Sequence, residues 1–125
     1  MCKITVVNLV ALSGGGLLSD VECIGWWEQT GLGRQSMDDL RLRFSAGTIS
    51  GTGVDVVGEF EVHGTVHHGD VLLKKQYVGA HQVTYFGTFD GEGTLQGKWS
   101  IFGVGGRWLI RIAGEREPAE IVDLF

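Results

Sequence analysis

Proline is almost missing from this chain: one residue in 125, against 21 glycines. Disordered chains raise both and lose aromatics, but four Trp, six Phe and two Tyr are kept here. The glycines therefore read as turns and tight bends of a folded sheet. Cysteine is scarce too. Cys2 and Cys23 show no CxxC spacing, which excludes a zinc ribbon and a thioredoxin-type motif and fits a reduced, cytoplasmic setting. Basic residues number ten against fifteen acidic ones, for a net charge of −5, and the one adjacent basic pair is Lys74-Lys75. A nucleic-acid partner needs a basic stripe, so none is expected. No apolar run reaches the roughly eighteen residues of a membrane-spanning helix, and no membrane partner is expected either. The opening residues imitate a secretion signal, with Lys3 before a short apolar run, but Asn8 interrupts it and no small-x-small cleavage site is clear.

What is abundant is alternation. Segments 22–29, 39–46, 55–64, 71–78, 82–89, 94–101 and 107–113 each place apolar residues on every second position, and glycine-containing links join most of them. Residues 39–46 put Leu40, Leu42, Phe44 and Ala46 on one face. Residues 55–64 put Val56, Gly58, Phe60, Val62 and Gly64 inward, leaving Asp55, Glu59, Glu61 and His63 to water. Residues 71–78 offer two mixed faces, one with Val71, Leu73, Lys75 and Tyr77, the other with Leu72, Lys74, Gln76 and Val78. Asp90-Gly91-Glu92-Gly93 reads as a tight hairpin. Residues 47–53 read as a glycine-punctuated connection. Residues 4–12 suit an eighth strand or an arm, and 119–125 a tail of one or two helical turns. The fold class that follows is all-β: a single antiparallel up-and-down β-barrel of about eight strands, one domain spanning residues 1–125, with a sandwich as the competing arrangement. Inward glycines at Gly58, Gly64, Gly87 and Gly97 fit a narrow, strongly curved sheet that large rings must cross.

Gly25-Trp26-Trp27 at the start of the first secure strand, with Arg107 or Arg111 in the last, resembles the calycin superfamily of lipocalins, fatty-acid-binding proteins and avidins. The run Gly25-Trp26-Trp27-Glu28-Gln29-Thr30-Gly31 is most similar to the first strand and turn of the avidins. The resemblance implies a barrel with a lumen, Trp27 and Gln29 facing inward, Trp26 outward, and an arginine of the last strand packed over the inward tryptophan. An exposed Trp26 would mark an interface. The second lipocalin motif and the avidin tryptophan box are absent from the chain.

If the inward parities hold, Gln29, Lys75, Tyr77 and Tyr85 project into one lumen whose aromatic walls include Trp99, Trp108 and Phe60. An inward lysine needs a carboxylate or phenol beside it, or an anionic ligand that brings the charge. The contrary expectation is a filled lumen with the phenols at the rim and Lys75 reaching out to water. His63, His67 and His68, with Glu61 before them, have the chemistry to hold zinc, nickel or copper, but histidines in turns are commonly solvated and nothing in the pattern fixes their rings. No G-x-S-x-G and no Cys–His pairing points to nucleophilic catalysis. The expectation is a non-catalytic binder of a small apolar, acyl or carboxylate-type molecule, with no cofactor. One alternative is a homodimeric interaction module, built on residues 4–12, Trp26 and the apolar tail, which a filled lumen would favour. Another is a small barrel enzyme of isomerase or hydrolase type using Lys75 or Tyr85 as acid or base.

Overall fold

The computed structural model describes residues 20–113. Eight antiparallel strands follow one another around a closed barrel: β1 (Val21–Gln29), β2 (Gly33–Ser45), β3 (Thr48–Val54), β4 (Glu59–His67), β5 (Asp70–Tyr77), β6 (Gln82–Phe89), β7 (Thr94–Ile101) and β8 (Val104–Ile112). Each pairs with the next and β8 returns to β1, so among the described residues no strand edge is left unpaired. The up-and-down barrel expected from alternation is the observed fold.

The eighth strand is not the one expected. It is β3, inside the stretch read as a connection, while residues 4–12 and 119–125 lie outside the described residues. The glycines that disguise β3 serve close approach. A Cβ on Gly51 would sit 2.1 Å from the Arg41 carbonyl oxygen, and one on Gly53 would sit 2.6 Å from Phe60 Cζ. β2 is also longer than its alternating part. Its register shifts between Asp38 and Arg41, with Asp39 at φ 50°, so a bulge inserts an extra residue and buries both Met37 and Leu40 although they are three apart.

Three hairpins turn on a pair of residues with positive φ: Ala46-Gly47, His68-Gly69 and Phe102-Gly103. Such turns match the right-handed twist of the flanking strands. Ala46, expected on the inward face, is for this reason an exposed turn residue.

The connections divide between two ends. At the upper end lie residues 30–32, 55–58, 78–81 and the Phe102-Gly103 turn; at the lower end lie residues 46–47, 68–69 and 90–93, beside the start of β1 and the end of β8. Lower-half packing is entirely apolar, with Leu42, Leu73 and Leu95 sealed from water and Phe44 stacked on Phe89 at 6.0 Å. Trp108 spans the middle, where Gly87 pairs with Gly97. Its indole N–H donates to the Phe86 carbonyl at 3.2 Å and the Lys98 carbonyl at 3.1 Å. A Cβ on Gly97 would meet that same Phe86 oxygen at 2.0 Å, which explains the glycine there.

Candidate functional site

Strand β5 resolves its ambiguity with the lysine inside. Val71, Leu73, Lys75 and Tyr77 face the lumen, because the opposite choice would bury Leu72 and Val78 together with Lys74 and Gln76 and expose Val71, Leu73 and the Tyr77 phenol. Lys75 is 1% exposed, so it neither reaches water nor borders open space. The expectation of a lysine extending to the rim is corrected by its partner.

That partner is Asp55, which the alternation placed on the solvated face. Residues 55–58 are a loop rather than the start of β4, so strand parity does not extend to them. Val56, expected inward, is 70% exposed, while the Asp55 side chain is completely buried. Its Oδ2 accepts hydrogen bonds from Lys75 Nζ at 2.6 Å, Tyr77 Oη at 2.7 Å and Trp27 Nε1 at 3.1 Å. Its Oδ1 accepts from the Val57 backbone N–H at 2.9 Å, closing a short turn within the loop. Lys75 uses its remaining donors on Tyr85 Oη at 3.1 Å and Met37 Sδ at 3.7 Å. Phe60, Tyr77, Tyr85 and Trp27 surround the ammonium, with ring centroids between 4.3 and 5.6 Å away.

The electrostatics follow from this enclosure. Burial pulls Lys75 down to about 8 against the opposing pull of Asp55. Burial alone would raise Asp55, but the hydrogen bond and charge of Lys75, together with the hydrogen bonds from Tyr77 and the Val57 N–H, outweigh that and hold it below the ordinary carboxylate range. Burial, with the negative charge of Asp55, pushes both Tyr77 and Tyr85 upward, so both stay protonated. Tyr85 accepts from Lys75, yet among the described residues no acceptor is paired with its own O–H.

Of the other expected site residues, Trp99 and Trp108 pack on the rings of this cluster and Gln29 stands apart from its hydrogen bonds. Gln29 ends β1 half-buried and makes no side-chain hydrogen bond to the tetrad of Asp55, Lys75, Tyr77 and Tyr85. Trp99 packs edge-on against Trp27 at 5.7 Å and donates to the Glu28 carbonyl, while Trp108 tilts over Tyr85 at 5.2 Å. Trp27 faces inward and Trp26 outward as the G-x-W resemblance implies, but the arginine placement differs. Arg34 covers Trp26 at 3.7 Å and Arg107 lies 5.9 Å from the same ring, held there by Glu28 between them. Trp26 is thus half-buried under a guanidinium rather than bare. His63 lies 3.8 Å from Glu61, whereas His67 and His68 contact each other at the next turn. The described residues hold no group of three side chains able to bind a metal. Outside the wall, an open depression of about 240 Å³ is lined by Arg41, Arg43, Glu61 and His63 among others, but its arginines are already paired with Glu22 and Asp20.

Asp55 was the residue that sequence reasoning missed. Its signal is a lone acid inside an otherwise apolar, glycine-bounded stretch, Gly53-Val54-Asp55-Val56-Val57-Gly58. Comparison of the chain with protein-family models, curated proteins and solved structures finds no match in any of the three, so the site stands on its own geometry.

Proposed function

We propose that this calycin-like barrel is a non-catalytic binding protein for a small molecule with an apolar body and an acidic group, received at its upper end. The observation that carries the reading is the fully buried Asp55–Lys75 pair with its two phenols. An apolar substitute for such a pair commonly holds a core together as well or better, so a purely structural lumen has no need of it. The surroundings suit an apolar body. Leu32, Val56, Val57, Val78, Phe102 and Val104 are all exposed on or beside the loops of this end, and Phe102 is 90% exposed. The sealed lower half limits the ligand to the upper layer of the lumen.

A filled interior is also what a protein-interaction module would have. One observation favours that second reading: Phe102 holds a left-handed backbone at φ 51° while presenting its ring to water, a double cost for a bulky residue. The lowered affinity of Lys75 for its proton is of use to an enzyme only in a lumen with room for a substrate beside it.

Amide NMR of the full chain during titration with propionate, hexanoate and benzoate tests the proposal. Saturable shifts grouped around Trp27, Lys75 and residues 55–58 are expected. No shift with any of them, together with a concentration-dependent dimer that Phe102→Asn dissolves, would transfer the assignment to the interaction module.

A further inference from the structure

The seat that holds the Asp55 carboxylate is built by the wall of the barrel. Lys75 and Tyr77 come from β5 and Trp27 from β1, and their three donors converge on one oxygen within 3.1 Å. The carboxylate itself comes from elsewhere. Asp55 is the one member of the cluster carried on a loop, and that loop is tied to its own turn by Val57 N–H to Oδ1 and by Asp55 N–H to the Gly58 carbonyl. The loop ends at Gly58, whose φ of 150° only glycine adopts readily and beside which a Cβ would meet nothing within 4 Å. Val56 and Val57 on its crest are exposed and pack little against the barrel. The donors of the barrel wall and the short loop are therefore separate parts, and the second plugs the first.

We infer that Asp55 is a tethered occupant of a carboxylate-binding seat, and that a small monocarboxylate enters by displacing it outward with residues 55–58. This deepens the reading given above and rests on it. In the exchange the incoming carboxylate inherits the donors of Lys75, Tyr77 and Trp27, so the buried ammonium is never left without a counter-charge, which a neutral ligand could not achieve. The O–H of Tyr85 supplies a further donor that the tethered carboxylate leaves unused, 3.1 Å from Lys75 Nζ. The released Asp55 carboxylate gains water at the rim, and Val56 and Val57 come to lie against the apolar body of the ligand. A dicarboxylate is disfavoured, because the rest of the upper layer offers it only aromatic walls.

The experiment uses the full chain, with propionate and benzoate as probes and propionamide and benzamide as uncharged controls. In the unaltered protein the carboxylates should shift the backbone amides of Val57 and Gly58 and abolish the nuclear Overhauser contact between the Asp55 methylene and the Trp27 indole N–H, which donates to Asp55 Oδ2 at 3.1 Å, while propionamide and benzamide do neither. Asp55→Ala removes the internal competitor, so its affinity for the same probes should rise on the order of tenfold or more, and they should raise its unfolding temperature more than that of the unaltered protein. Binding with the Asp55–Trp27 contact intact and equal affinity in both proteins would overturn the displacement while leaving the binding function standing. No carboxylate binding in the unaltered protein would remove both. Should Asp55→Ala fail to fold, the Asp55–Trp27 contact in the unaltered protein decides alone, and one that persists at saturation overturns the inference.

Discussion

The two halves of this barrel are made from the same strands, yet they solve the problem of filling a narrow lumen in opposite ways. The lower half uses only apolar side chains, seals Leu42, Leu73 and Leu95 from water, and is bounded by short turns. The upper half encloses a carboxylate, an ammonium and two phenols between aromatic rings, and carries apolar residues on its outer loops. Burial is equally complete in both, so exposure does not separate them. What separates them is the chemistry that burial requires: the lower half gains free energy from each group it hides, while the upper half recovers a desolvation cost through a set of hydrogen bonds that depend on one another.

That interdependence is the first thing to break. Asp55→Ala strands the Lys75 ammonium, and Lys75→Met strands the carboxylate, so each should cost about 3–5 kcal/mol. Combining Asp55→Leu with Lys75→Met should cost less than Asp55→Leu alone or Lys75→Met alone, as read from urea unfolding. A double variant as unstable as the sum of its parts would show that the two side chains act independently.

In the lower half no such compensation is available. Leu73→Ala should cost about 2–5 kcal/mol through lost burial and a cavity, with no second substitution among charged residues able to restore it. Its unfolding should be equally sensitive at neutral and acid pH, which sharpens the contrast with the upper half.

Acid provides a smaller and more selective test. The folded-state pKa of Asp55 lies below its ordinary 3.8, so this carboxylate contributes stability that is present above that ordinary value and lost as pH falls through the folded one. Unfolding temperature measured from pH 5 downward should decline more steeply in the unaltered protein than in the Asp55→Leu/Lys75→Met variant. Parallel curves would place the acid sensitivity in surface carboxylates such as Glu28, which Arg34 holds below the usual range.

The least disruptive change is at the tip of the upper end. Phe102 is exposed and holds a left-handed backbone, so Phe102→Asn should leave stability unchanged or raise it by up to about 1 kcal/mol, because asparagine adopts that conformation more readily. A loss measured in thermal unfolding would mean the ring packs on something in solution and would strengthen the interaction reading.

Much of this molecule was legible in its residues. Alternation marked seven strands, the glycine-rich links marked the turns, and the parity of Gly25-Trp26-Trp27 set one ring inward and the other outward, because a strand with one wet face must obey a period of two. Lys75 with Tyr77 and Tyr85 could be grouped for the same reason. β3 escaped because close neighbours replace its inward side chains with Gly51 and Gly53, leaving too little hydrophobicity to show a period. Asp55 escaped because a loop carries no periodicity, and its direction depends on what waits inside. Local sequence thus determined the architecture, which repeats a rule residue by residue. Only the tertiary structure decided that an ammonium on β5 and a carboxylate twenty positions earlier would meet, since that pairing depends on the closure and shear of the whole barrel.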